Sequence, residues 1–279
     1  MIFYKTSSFG NDFIEIDRSE LTCLQGRGAG KGNLAREICD RQRGVGADGV
    51  VYFLAGKRKT EFQVFNRDGG EAELSGNGMA GLAAVLLQRR LAASPLTLQS
   101  VSGTRRARLL SRRGPRFELL VEIGAPDFSR RDFFPFLDDK RESYAVEGLE
   151  FHPVSVGNPH AVVLCQGLPP GPELAALGKK LEGHPMFPRR VNVEFVHELR
   201  AGSGCRVFFY ERGVGPTQAS STGSAAVFAV LRRLGKAGDR LDIDLGPAGG
   251  GGETIELSWH DGIFIRNLTR IVCRGDYFA

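Results

Sequence analysis

Short runs of alternating apolar and polar residues, bounded by glycine, asparagine or proline turns, make up most of this chain. Residues 2–4 and 13–17 read as strands joined by a turn holding Gly10-Asn11-Asp12. Strands follow at 50–54 and 62–66, and then a meander at 96–100, 106–110 and 117–123. Further strands are expected at 154–156, 161–164, 191–196, 206–210, 263–268 and 271–273. Helical spacing marks 34–40, with Asn33 as its cap, and 173–181 ahead of Gly183-His184-Pro185. Residues 26–32 and 246–252 are glycine-rich and read as loops.

Two apolar segments stand apart because each is entered through a polar turn. Leu74-Ser75-Gly76-Asn77-Gly78-Met79 runs into the helix expected at 80–87. The Ser75 hydroxyl can accept from an unpaired backbone N–H in the first turn, and the helix N-terminus suits an anion. Ser220-Ser221-Thr222-Gly223 enters a second apolar helix at 225–231 in the same way. Aligning Ser75 on Ser220, an offset of 145, also superposes Arg67 on Arg212, Gly70 on Gly215 and Gly78 on Gly223, with Asn66 on Glu211. Upstream, Ser8-Phe9-Gly10-Asn11 echoes Ser155-Val156-Gly157-Asn158 at an offset of 147. Matching features in the same order imply duplication of about half the chain rather than a short solenoid repeat. The expected fold class is α/β, mixed α+β. It has two pseudo-symmetric lobes related by a pseudo-two-fold axis, each a mixed, largely antiparallel sheet or barrel around one central helix. The turn Gly124-Ala125-Pro126 sets the expected boundary: lobe one is 1–123 with about 266–279, lobe two is 124–265, and the active-site cleft lies between them.

Length and composition fit this plan. The chain has 279 residues, 42% of them hydrophobic and 25% charged, enough for two lobes with their own cores. No apolar run approaches ~20 residues and the N-terminus lacks a signal-peptide pattern, so a cytoplasmic protein without membrane contact is expected. The five cysteines form no CxxC pair and are odd in number, which favours reduced structural thiols over disulfides or zinc. The net charge of +5 owes much to the arginines around Arg113-Gly114-Pro115. Without interleaved aromatics they read as the solvated face of a hairpin, and no nucleic acid is expected.

The chemistry gathers on the turns. Asn11, Asn66, Asn158, Asn192 and Arg212 sit at strand ends, with an imidazole at His160 and a carboxylate at Glu211. An arginine fork, several amides and helix N-termini suit a zwitterionic amino acid. Gly10-Asn11-Asp12-Phe13, Gly44-Val45-Gly46-Ala47-Asp48, Phe65-Asn66-Arg67-Asp68-Gly69, Gly76-Asn77-Gly78, Gly157-Asn158-Pro159-His160 and Tyr210-Glu211-Arg212-Gly213 resemble diaminopimelate epimerase in order and spacing. The resemblance implies a diaminopimelate epimerase-like fold and an isomerase of lysine biosynthesis that inverts an amino-acid Cα by two-base proton exchange. Neither cofactor nor metal is expected. It implies substrate binding by Asn11, Asn66, Gly76, Asn77, Asn158, Asn192, Arg212, Ser221 and Thr222, and assistance to the bases by His160 and Glu211. The expected partners are a small-molecule amino-acid substrate and, among macromolecules, at most a second copy of the chain as a homodimer.

At the two catalytic positions the family carries cysteines, and this chain carries Ser75 and Ser220. A thiol has a pKa of about 8.5, lowered further at a helix N-terminus. An alcohol is far less acidic and works only beside a group that takes its proton, a task open to His160 or Glu211. Ala80-Gly81 also stands where Arg-Cys is common in the family, and Ser221 where glycine is usual. These flanking changes fit natural divergence. Three activities follow: epimerisation, a related lyase or racemase reaction on another amino acid, or amino-acid binding with weak catalysis.

Overall fold

Strands and helices alternate along the chain in an order that repeats once. The computed structural model describes residues 1–24, 30–138, 140–167, 171–200, 202–245 and 252–278. The glycine-rich stretches expected at 26–32 and 246–252 therefore lie largely outside the described residues, as does the side chain of Cys23.

The first elements are β1 (Ile2–Ser8), β2 (Asn11–Asp17), a 3-10 turn (Arg18–Leu24), α1 (Lys31–Ile38), β3 (Gly49–Ala55), β4 (Thr60–Asn66) and β5 (Glu71–Ala72). After α2 (Gly76–Gln88) come β6 (Leu96–Ser100), β7 (Gly103–Arg113) and β8 (Arg116–Gly124). The chain continues through β9 (Tyr144–Val146), β10 (Leu149–Ser155), β11 (Pro159–Leu164), α3 (Gly171–Glu182), β12 (Asn192–Arg200), β13 (Gly202–Glu211) and β14 (Gly215–Thr217). It ends with α4 (Ser221–Arg233), β15 (Ala237–Asp244), β16 (Thr254–Trp259) and β17 (Ile263–Asp276). Met1–Glu122 with Arg266–Ala279 form one compact unit, and Ile123–Ile265 form the other.

In the first unit the strands close on themselves. β1 pairs β2, β2 runs parallel to β3, β3 pairs β4, and β4 lies parallel to β6. β6, β7 and β8 form the expected meander, and β17 completes the ring by pairing both β8 and β1. Eight strands thus make a barrel without open edges. Every residue of α2 from Gly76 to Leu86 is buried, as a helix apolar on all sides requires, and α2 packs on β1, β2, β3 and β7. Gly81 is where this packing is tightest. A Cβ there would stand 2.3 Å from both Glu15 Oε1 and Thr6 Oγ1, so only glycine lets the helix pass the buried carboxyl.

The second unit repeats the plan. β10 pairs β11, β11 runs parallel to β12, β12 pairs β13, β13 carries the short β14, and β13 lies parallel to β15, which pairs β16. Each step has the strand sense of its counterpart in the first unit. α4 is buried from Ser221 to Leu231 and packs on β10, β11, β12, β15 and β16. In the same unit, edge-to-face aromatics centred on Phe134, Phe136, Phe151 and Phe187 fill a second core with residues of α3, β11 and β12.

The structure corrects three local readings and adds strands β9, β15 and β16 that the sequence did not announce. α1 begins at Lys31, and its N-cap is Gly30 without a side-chain cap bond. Asn33 cannot be the cap because its own N–H already donates to Gly30 O at 2.9 Å, and its side-chain oxygen is held by Arg36. The helix also stops at Ile38, where Asp40 Oδ1 accepts from the N–H groups of Gln42 and Arg43 and turns the chain. The two terminal strands expected at 263–268 and 271–273 are one, β17. Their apparent break is a bulge, since Lys5 faces Cys273 while Thr6 faces Ile271 and Val272 is left over.

The arginine-rich segment is a hairpin with Gly114 at φ +57°. Arg106 pairs Glu122 at 2.9 Å, and Arg112 lies 4.8 Å over the ring of Phe117. Cys39 and Cys205 are buried, and burial pushes both thiols up to about 12, which keeps them protonated and inert. Among the described residues no helix is long and apolar enough to cross a membrane.

Candidate active site

Both expected serine caps form. Ser75 precedes α2 in extended backbone, and its Oγ accepts from Gly78 N–H at 3.1 Å. Ser220 precedes α4 in nearly the same conformation and accepts from Gly223 N–H at 3.1 Å. Each cap satisfies one otherwise unpaired amide and aims the positive end of a buried helix at the segment before it.

Around the α2 N-terminus the polar groups form a directed chain. Ser8 shares a 2.7 Å hydroxyl contact with Thr269, whose Oγ1 donates to Asn267 Oδ1 at 2.6 Å. Asn267 donates to Asn77 Oδ1 at 3.0 Å, Asn77 to Asn11 Oδ1 at 3.0 Å, and Asn11 to Asp48 Oδ2 at 2.9 Å. With every hydroxyl and amide passing one hydrogen along, each amide orientation follows from the next. The chain ends among charges. Arg41 grips Asp12 through two nitrogens and Asp48 through one, and Lys5 reaches Asp12 at 3.0 Å. Burial raises the Asp12 carboxyl, but Arg41 and Lys5 overcome this and hold it below the usual range.

Around the α4 N-terminus the groups are different. Ser220 Oγ donates to Glu211 Oε2 at 3.1 Å, and Thr217 Oγ1 donates to Glu211 Oε1 at 2.6 Å. The β13–β14 hairpin sets this up, because Phe209 faces Thr217 and Glu211 faces Gly215 across it. His160 is wholly buried, with Nδ1 2.8 Å from Glu194 Oε1 and Nε2 2.9 Å from Asn158 Oδ1. Both ring nitrogens therefore face acceptor oxygens, the orientation of the Asn158 amide being fixed by its Nδ2 donating to Thr222 Oγ1 at 3.4 Å. Asn192 spends its amide on backbone, donating to Pro159 O and accepting from Arg212 N–H, each at 2.9 Å. A Cβ on Gly223 would lie 2.8 Å from Glu194 Oε1, so glycine at the third position of α4 admits that carboxylate.

The expected site residues thus fall into two local groups. Asn11, Ser75, Gly76 and Asn77 gather at α2, with Asn66 at the end of β4. Asn158, His160, Asn192, Glu211, Arg212, Ser220, Ser221 and Thr222 gather at α4. Sequence reasoning missed Asn267, Thr269, Glu194 and Thr217, and it quoted Asp48 without giving it a role. The available signal was buried polarity within strands: Asn267 and Thr269 alternate with exposed Leu268 and Arg270 on β17. Chemically, the α4 group can move a proton from a serine hydroxyl to a carboxylate. The α2 group can orient amides and hold an anion.

Known proteins resemble this chain, relatives in about a third of their residues and solved structures in fold. The family model described as diaminopimelate epimerase matches residues 3–128 and 153–262. A diaminopimelate epimerase from Carboxydothermus hydrogenoformans is 32% identical over all of both chains. One from Desulforudis audaxviator is 34% identical over 94% of this chain and 92% of its own. Among solved structures, a hydroxyproline epimerase from Agrobacterium vitis, with trans-4-hydroxy-L-proline bound, superposes with a TM-score of 0.68 at 18% identity, covering 100% of this chain and 91% of its own. A phenazine biosynthesis protein from Bacillus anthracis gives 0.63 at 15% identity, covering 100% and 99%.

Proposed function

The chain belongs to the diaminopimelate epimerase family, and from that membership we propose that it inverts the Cα centre of an amino acid, with LL- to meso-diaminopimelate as the first substrate pair. The reaction is proton exchange at Cα, for which the resemblance calls for no cofactor. The observation that carries the chemistry is the 3.1 Å hydrogen bond from Ser220 Oγ to Glu211 Oε2, at the N-cap of a buried helix.

In this reading the α-carboxylate is held at helix N-termini, where amide N–H groups and the dipole favour negative charge. Ser75 and Ser220 occupy the two base positions, and Glu211 takes the proton that Ser220 must lose before it can accept one. His160 fixes Asn158 and Glu194 beside the α4 N-terminus. Asn11, Asn66, Gly76, Asn77, Asn158, Asn192, Arg212, Ser221 and Thr222 bind the substrate's carboxylate and ammonium groups. We place the protein in the cytoplasm. The reading includes a homodimer, which sedimentation at rising chain concentration tests directly.

Incubation with LL-diaminopimelate followed by separation of stereoisomers tests the function. The expected product is the meso isomer. Absence of turnover with diaminopimelate and with a panel of other amino acids would remove the isomerase reading.

A further inference from the structure

Ser220 and Ser75 occupy equivalent places but meet different neighbours. Ser220 Oγ donates to Glu211, which Thr217 orients from its other oxygen. Among the described residues, Ser75 Oγ has one hydrogen-bond partner, the Gly78 N–H. Within its own unit, no carboxylate or imidazole among the described residues accepts from it.

The inequality is built into the duplicated register. Across β13 and β14, Phe209 faces Thr217 and Tyr210 faces Pro216. Across β4 and β5, the same places 145 positions earlier, Val64 faces Ala72 and Phe65 faces Glu71. At that offset Asn66 replaces Glu211 and Ala72 replaces Thr217. An amide is no proton acceptor at neutral pH, and a methyl group cannot orient one. The carboxylate and the hydroxyl that steadies it therefore occur in the second copy alone. With thiols at both cap positions this difference would matter less, since a helix N-terminus helps a thiol ionise unaided. With serines it decides which of the two hydroxyls has a group to take its proton.

Resting on the Cα-isomerase reading above, we propose that this chain draws the Cα proton through the Ser220–Glu211 pair alone. It then exchanges that hydrogen with solvent, with retention, faster than it inverts the centre. In the step, the Cα–H bond breaks and its electron pair stays on the substrate, delocalised into the α-carboxylate. The proton forms a new O–H bond at Ser220 Oγ while the original hydroxyl proton passes to Glu211 Oε2. Once the hydrogen now on Ser220 Oγ has traded with solvent, its delivery to the same face of Cα, with Glu211 Oε2 returning its proton to Ser220 Oγ, restores the starting configuration with a solvent hydrogen at Cα. Inversion requires Ser75 to give up its hydroxyl proton and become an alkoxide with only the helix end to steady it. That is the slow branch.

The test follows deuterium uptake and inversion separately, using the full chain in D2O with LL- and with meso-diaminopimelate, chiral separation and mass spectrometry. Uptake at Cα should outrun inversion at least about tenfold, and from one configuration at the carbon only. Glu211→Gln should lower uptake by about 10²-fold or more, with Glu211→Asp retaining part of it, so that a folding failure in the first variant is recognised by the second. Ser75→Cys should raise inversion without raising uptake. Equal rates of uptake and inversion in the unaltered chain, or full uptake by Glu211→Gln, would overturn the inference and leave the isomerase reading in place. No uptake from any amino acid would overturn both.

Discussion

Asn267 donates to Asn77 Oδ1 at 3.0 Å, joining β17 to the N-terminal turn of α2 across 190 residues of sequence. The bond fixes the orientation of the Asn77 amide, and through it that of Asn11. Removing it leaves Asn77 Oδ1 and the Thr269 hydroxyl short of partners in a site where all three residues are buried. Asn267→Ala should therefore destabilise the fold by about 1–3 kcal/mol in urea unfolding. Asn267→Asp keeps the oxygen that Thr269 uses but places a second acceptor against Asn77 Oδ1, so it should rescue little. Wild-type stability in Asn267→Ala would mean that the chain of amides contributes nothing.

Gly81 gives a steric prediction. A methyl group there meets Glu15 Oε1 and Thr6 Oγ1 at 2.3 Å inside a closed barrel, so α2 or β2 must shift. Gly81→Ala should cost about 1–3 kcal/mol. Gly238→Ala, where an added Cβ meets nothing within 4 Å, should be close to neutral in the same measurement. Equal effects at the two sites would contradict the packing described for α2.

Glu15 makes stability depend on pH. Its side chain is wholly buried, Thr6 donates to Oε1 at 3.2 Å, and burial pushes the carboxyl well above its ordinary value of 4.5. A folded-state pKa above the unfolded one means that folding takes up a proton. The resulting stability is full below pH 4.5 and is lost as pH rises through the folded-state value. Glu15→Gln removes the titration while keeping the shape. Its stability relative to wild type should rise by about 1.4 kcal/mol per pH unit across that window. Urea titrations of both proteins at several pH values decide this, and parallel curves would refute it.

His160 is held by Glu194 and Asn158 deep beside α4. Glu194 Oε2 already has no partner among the described residues, so His160→Ala strips the buried carboxylate of its remaining side-chain hydrogen bond. The variant should lose about 3–5 kcal/mol. His160→Gln, able to donate to Glu194, should recover part of that loss. Matching stabilities for the two variants would show that the hydrogen bond is immaterial.

The parts of this molecule legible in sequence are those whose signal is local. A serine in a polar turn leading straight into an apolar helix announces Ser75 and Ser220 as caps, and the duplicated turns announce two lobes of mixed α/β structure. β15 went unread because Asp239, Arg240 and Asp242 point outward and mask the inward Leu241 and Ile243. Asn33 looked like a cap because asparagine commonly is one, yet the backbone bond to Gly30 had already started the helix. The connections that matter most for chemistry were the least legible. Glu211 reaches Ser220 only through the register of a short hairpin, and Asn267 reaches Asn77 only because β17 closes the barrel. Neither leaves a periodic trace in the chain.

The central claim is that a carboxylate-backed serine removes an amino-acid Cα proton. Loss of the Cα proton signal of diaminopimelate in D2O, followed by NMR with the unaltered chain and with Ser220→Ala, tests it most directly. The account predicts steady loss with the former and a rate at least about 10²-fold lower with the latter. Equal rates for the two proteins, or no loss above the enzyme-free background, would contradict it.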